Sequence, residues 1–194
     1  MRRPKLIIIA GSAGSLQVIL GIIPAVGRDL PLPMLIVVHR NVDFESGLEE
    51  LLSARTRAAI KEVEEKESIL PGTIYLAPAD YHVLIEEDRT FSLDYSEKVN
   101  FSRPSIDVTF RCAADVYGKD LVCVLLSGGN SDGVEGMVYV RQKGGVVVAQ
   151  DPATAEVPYM PQHAIVRMTI DFIVPAEEMP AFIRGLAYLP FDNL

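Results

Sequence analysis

No apolar stretch in this sequence approaches the roughly 20 residues needed to cross a bilayer. The basic opening "MRRPK" is followed by an apolar run of only Leu6–Ala10, shorter than the core of a secretory signal. A cytoplasmic protein without direct membrane insertion is expected. Cysteine is scarce too. Cys112 and Cys123 lie in apolar contexts without metal-ligand spacing, which argues against a disulfide framework and reads as two buried thiols. The three histidines, His39, His82 and His163, lie far apart and offer no metal-binding pattern. Positive charge is short: 18 Lys and Arg stand against 26 Asp and Glu, a net charge of −8. Nonspecific attraction to nucleic acid or anionic lipid is therefore not expected. The densest acidic stretch, "EVEEKE" at Glu62–Glu67, reads as a solvated face. Internal repeats, low-complexity tracts and linkers are absent, so residues 1–194 read as one domain.

What is there is an ordinary globular composition, 49% hydrophobic, and a recurring pattern of short apolar strand, turn and helix. Strands are predicted at Leu6–Ala10, Met34–His39, Gly72–Ala77, Leu121–Leu126, Val146–Ala149 and Asp171–Val174. Helices are predicted at Leu16–Val26, Glu45–Ala54, Ile106–Val116, Gly133–Gln142, Met160–Val166 and Ala176–Tyr188, with Ser102 or Ser105 as a cap before the third. His82–Glu87 and Thr90–Tyr95 read as a hairpin turning at Asp88–Arg89. Strands that are apolar throughout belong in a sheet covered on both faces, and intervening helices imply right-handed crossovers. The expected fold is a three-layer, doubly wound (Rossmann-like) α/β domain, mostly parallel, with an antiparallel hairpin.

In such folds the active crevice lies outside the carboxyl ends of the strands. Three of those ends carry reactive side chains: "IIIAGSAGS" brings Ser12, "LIVVHRN" brings His39 and "VCVLLSGGNSDG" brings Asp132. A serine hydroxyl holds its proton too tightly to attack unaided. A histidine can accept that proton and return it to the leaving group, and a carboxylate fixes the imidazole tautomer. The small-residue turns "GSAG" and "SGGNSDG" offer backbone N–H groups for an oxyanion. The order Ser…His…Asp, with Gly11 directly before Ser12, does not fit the G-x-S-x-G elbow of the α/β-hydrolases. Each residue also has a plainer explanation: Ser12 as a turn or cap residue, His39 as a packed histidine, and Asp132 as the cap of the helix starting near Gly133. Nucleotide binding is the rival for the opening turn, but G-x-G-x-x-G and a Walker lysine are absent, and His39 occupies the position where a ribose-binding acid is expected.

The pieces "IIIAGSAGS", "LIVVHRNVDF", "LPGTIYLAPADYHV", "SRPSIDVTF", "LLSGGNSDGVEGM" and "VVAQDPATAEVPYMPQHAI" occur in an order that resembles the catalytic domain of the CheB-type protein-glutamate methylesterases, from Leu6 to about the final helix. The resemblance implies hydrolysis of glutamyl methyl esters on the cytoplasmic helices of methylated chemoreceptors in chemotaxis, with deamidation of glutamines as a second activity. It implies Ser12 as nucleophile, His39 as general base and Asp132 as its orienting carboxylate, and no cofactor. The sequence departs from the family pattern in three places. Ser-Thr-Gly-Gly becomes Ser12-Ala13-Gly14-Ser15, Gly-Met-Gly-x-Asp-Gly becomes "GGNSDG" with Gly129 in place of methionine, and Met-Pro after the histidine becomes Arg40-Asn41. These departures motivate an alternative, a non-catalytic module of the same fold that docks on a receptor or signalling partner. Members of the family commonly carry an N-terminal receiver domain. With the first strand at Leu6, a stand-alone catalytic domain is expected, with a separate receiver protein as a candidate regulator.

Overall fold

A computed structural model describes residues 3–27, 29–39 and 47–189. The continuous apolar runs form a seven-stranded sheet. Its strands are β1 (Leu6–Gly11), β2 (Met34–Val38), β3 (Ala59–Glu62), β4 (Thr73–Leu76), β7 (Leu121–Leu125), β8 (Val146–Gln150) and β9 (Phe172–Val174). The order across the sheet is β3-β4-β2-β1-β7-β8-β9, and every pairing in it is parallel. The sheet is thus parallel throughout. The antiparallel hairpin, β5 (His82–Ile85) with β6 (Phe91–Asp94), forms a separate two-stranded sheet.

Alternation along each strand divides the core in two. Leu6, Ile8, Ala10, Leu35, Val37, Cys123 and Leu125 face one side, where they meet the hairpin, α3 (Ile106–Tyr117), α4 (Val134–Gln142) and α5 (Tyr159–Arg167). Ile7, Ile9, Met34, Ile36, Val122 and Val124 face the other, covered by α1 (Leu16–Val26), α2 (Leu48–Ser53) and α6 (Met179–Ala187). Both faces need apolar cover, which is why β1 and β7 contain no polar residue. The cysteines are free, Cys123 buried and Cys112 half-buried.

The expected helices and strands form, with one strand added. β3 was not anticipated because Ala59-Ile60-Lys61-Glu62 is a short edge strand, half exposed and paired on one side only. Its sequence carries neither an apolar run nor a clean alternation. Arg40, Asn41 and the beginning of the helix expected from Glu45 lie outside the described residues.

The chain leaves β1 toward β2 on one side and later returns to β7 on the other. The β1/β7 boundary is therefore the topological switch point, where a ligand crevice opens at the carboxyl ends of the strands. The stability of that edge rests on the sheet–α1 packing beneath it. Ile22 on α1 is fully buried, so Ile22→Ala is expected to cost about 2–5 kcal/mol in chemical denaturation.

Candidate active site

The register of the sheet brings the first two candidate residues together. Gly11 pairs with Val38 in the parallel β1–β2 ladder, so Ser12 and His39 are the next residues on adjacent strands, whose spacing is about 4.8 Å. The backbone continues this pairing past the strands, with His39 N–H donating to Gly11 O at 3.2 Å. On the other side, Ser12 N–H donates to the Ser127 carbonyl at 2.8 Å, which ties the end of β1 to the end of β7. Asp132 lies in the loop after β7, fully buried.

The structure joins His39 to Asp132: Nε2 stands 2.8 Å from Oδ2, with the histidine side chain 13% exposed and the carboxylate 0%. An ionised carboxylate only accepts, so Nε2 carries the proton and Nδ1 presents a lone pair. Ser102 Oγ stands 3.4 Å from Nδ1 and donates to it at long range. Ser12 Oγ itself makes no hydrogen bond among the described residues. Ser12 is thus next to His39 by register, while the imidazole nitrogen rests against a different serine.

Asp132 was also read as a candidate cap for α4, and the structure corrects that reading. The residue before α4 is Gly133, without a side-chain cap. The Asp132 carboxylate turns instead to the first turn of α3, accepting from Ile106 N–H at 2.7 Å and Asp107 N–H at 3.2 Å. Its charge there also complements the helix dipole. Ser105 Oγ (2.8 Å) and Asn100 Nδ2 (3.0 Å) complete the set. Burial pushes the Asp132 carboxyl up, but the hydrogen bonds from His39, Asn100, Ile106 and Ser105 outweigh it and hold it below its usual value. With three donors on Oδ1 and two on Oδ2, an asparagine would set an NH2 against donors whichever way it turned. Stability and imidazole orientation therefore rest on the same side chain.

Gly133 makes this approach feasible. It adopts φ +95°, and a Cβ there would come within 2.7 Å of Ile106 Cγ2 and 2.8 Å of Leu125 Cδ1. The Asp-Gly pair thus turns the chain left-handed into α4 while leaving room for the start of α3.

Candidate oxyanion donors are narrowed as well. The Ser12 N–H is committed to Ser127, whereas the N–H groups of Ala13 and Gly14 make no hydrogen bond among the described residues. Ser15, at the start of α1, is buried and folds its hydroxyl back onto the Ser12 carbonyl at 2.7 Å. Ser127 Oγ donates to Ala13 O at 2.7 Å and accepts from Val157 N–H at 2.9 Å, fixing the turn from below.

A surrounding layer went unassigned at the sequence level. Asn100 shares its amide between Asp132 and Asp107, the latter at 2.8 Å. His82 accepts from Ser105 N–H at Nδ1 and so donates from Nε2 to Glu97 O, both at 3.0 Å. Asn100 and Ser105 sit in or beside the quoted "SRPSIDVTF" segment, and His82 lies near the end of the quoted "LPGTIYLAPADYHV". The signal available was the polar density of residues 100–105 between a hairpin and an apolar helix, which marked a loop without saying what it held.

Fold and site together define a doubly wound α/β domain with a hydroxyl, an imidazole and a carboxylate at the ends of three neighbouring strands. The chain belongs to the CheB methylesterase family, whose model matches residues 7–183. It is 42% identical over 179 residues to a Leptospira interrogans protein provisionally named protein-glutamate methylesterase/protein-glutamine glutaminase, covering 92% of this chain and 93% of that one. A Thermotoga maritima protein-glutamate methylesterase/protein-glutamine glutaminase is 33% identical over 91% of this chain, which spans 52% of that protein's length. The crystal structure of the Thermotoga maritima CheB methylesterase catalytic domain superposes with a TM-score of 0.89 at 32% identity, over 94% of this chain and 98% of that one.

The second carboxylate in the layer yields a pH prediction. Burial pushes Asp107 up to about 6, opposed by the Gly136 N–H and Asn100 hydrogen bonds and reinforced by the charge of Asp132. Its unfolded value is about 3.9. The folded protein therefore binds this proton more tightly, and the stability it contributes is full below about pH 4 and lost as pH rises to about 6. Denaturation of wild type and Asp107→Asn between pH 4 and 7 is expected to show the wild type losing up to about 3 kcal/mol relative to the variant across that window. Parallel curves would contradict it.

Proposed function

We propose that this protein is a cytoplasmic serine esterase that removes the methyl group from glutamyl γ-methyl esters on chemoreceptor signalling helices. We propose too that the same site deamidates glutaminyl side chains. The observation that carries the reading is the buried Asp132 holding the Nε2–H of His39, which leaves an imidazole lone pair at the strand end beside Ser12. Family membership and the names of the relatives agree with it. No helix among the described residues is long and apolar enough to cross a membrane.

In this reading Ser12 Oγ attacks the ester carbonyl carbon as its proton passes to His39 Nδ1. The tetrahedral oxyanion is met by the Ala13 and Gly14 N–H groups. The C–O bond to the methoxy group breaks, and methanol leaves with the proton from His39. Water then attacks the acyl-serine, gives its proton to His39 and releases the glutamate carboxyl and Ser12. The nitrogen roles are reversed relative to the serine proteases, where Nδ1 faces the carboxylate and Nε2 the serine. The long Ser102 contact at 3.4 Å is weak enough to be exchanged for Ser12 as substrate enters.

Deleting the hydroxyl isolates the chemistry because Ser12 Oγ supports nothing else. Ser12→Ala is expected to leave stability within about 0.5 kcal/mol. Release of labelled methanol from methylated receptor should fall by about 10³ or more. The wild-type rate should decline on acidification, because a protonated His39 cannot accept the Ser12 proton. Equal methanol release by both proteins would contradict the reading, and release by neither would favour the docking-module alternative.

A further inference from the structure

The two-residue turn at Asn100-Phe101 has the wrong second residue for its geometry. Val99 and Ser102 exchange backbone hydrogen bonds, 3.2 Å for Val99 N–H to Ser102 O and 2.9 Å for the reverse. Asn100 and Phe101 have φ of 51° and 62°. Both central residues are left-handed, the hairpin turn in which asparagine is favoured first and glycine second. Phe101 is the one aromatic residue at positive φ among those described. A bulky side chain there carries a steric penalty that glycine would remove.

Nothing among the described residues rewards that penalty. Phe101 is 98% exposed, more than any other large hydrophobic residue described. It makes no ring contact among the described residues, whereas its exposed neighbour Tyr95 packs on Tyr81 at 5.5 Å and under the Arg103 guanidinium at 3.9 Å. The turn is nevertheless fastened on both sides. Asn100 is tied to Asp107 and Asp132, and Ser102 Oγ lies 3.4 Å from His39 Nδ1. The backbone that carries the ring is therefore held on the rim of the His39 site, one residue from the group that touches the imidazole. Strain retained beside a reactive centre without internal compensation points to an external role.

We infer that Phe101 is a specificity-determining residue, packing against an apolar side chain that flanks the esterified glutamate on the substrate polypeptide. This rests on the esterase reading and names how that site recognises its substrate. The occupant follows from position and charge. A polypeptide bringing a side chain to Ser12 and His39 must pass over the residue next to Ser102. A methyl ester is uncharged, and a chain of net charge −8 has no broad positive field to steer a carboxylate-bearing substrate. Recognition falls to apolar contact, for which an exposed phenylalanine is suited.

The test compares wild type, Phe101→Gly and Phe101→Leu on a methylated receptor cytoplasmic fragment and on p-nitrophenyl acetate, which is too small to reach the turn. Phe101→Gly is expected to raise Tm through relief of the left-handed strain. It should lower kcat/KM for the receptor fragment by about tenfold, mainly through KM, and leave the small ester within about twofold. Phe101→Leu, still apolar, should retain most of the receptor activity. Equal loss on both substrates would mean that the turn only supports His39, and overturns the inference. So would unchanged receptor turnover, or a change confined to oligomeric state. If the wild type releases no methanol from the fragment, the esterase reading itself fails, and the inference with it.

Discussion

A fully buried carboxylate is costly unless its oxygens are satisfied, and Asp132 meets that condition only because five donors from three places in the chain converge on it. Ser105 and two backbone N–H groups come from the start of α3. Asn100 comes from the 99–102 turn and His39 from the end of β2. Each of these segments is placed by that requirement. The first turn of α3 has to point at the switch point, the Asn100 turn has to fold back, and Gly133 has to be left-handed so that α3 can approach. The imidazole inherits its orientation from the same arrangement. Loss of the carboxylate would leave a helix end, a turn and a histidine without their common acceptor.

Much of the fold was legible because its signals are local. Runs such as Leu6–Ala10 and Leu121–Leu126 cannot be half-exposed strands, so two covering layers and a parallel sheet follow. Ser12 and His39 were legible as neighbours for the same reason, each standing where an apolar run stops. β3 was not, since Lys61 and Glu62 give an edge strand the appearance of a surface segment. The partner of Asp132 was not legible either. A carboxylate ahead of a helical pattern reads as that helix's own cap, and only the tertiary return of α3 across the end of β7 offers it a better set of donors. Asn100, Ser105 and His82 belong to the same class: their roles exist only once the hairpin and α3 are packed.

Under the proposed mechanism two serines would compete for the nitrogen of His39 that faces away from Asp132. Ser102 holds it at 3.4 Å, on a turn anchored to the carboxylate it serves. Ser12 stands beside it through the β1–β2 register, next to the N–H groups of Ala13 and Gly14, which make no hydrogen bond among the described residues. A nucleophile needs both a base and a place for the oxyanion, and the turn after β1 offers the two together. The small residues there matter for the same reason. Gly14, at φ +78°, could not carry a Cβ without approaching Glu156 Cβ to 2.6 Å, so the turn holds this shape only with glycine there.

The central claim is that Ser12, activated by His39, is the nucleophile. It is tested most directly by treating the protein with a serine-directed phosphonate and locating the adduct by peptide mapping. The account predicts one covalent label, on Ser12, formed more slowly as pH falls and absent from the Ser12→Ala variant. A label on Ser102, or no label on a folded protein, would contradict it.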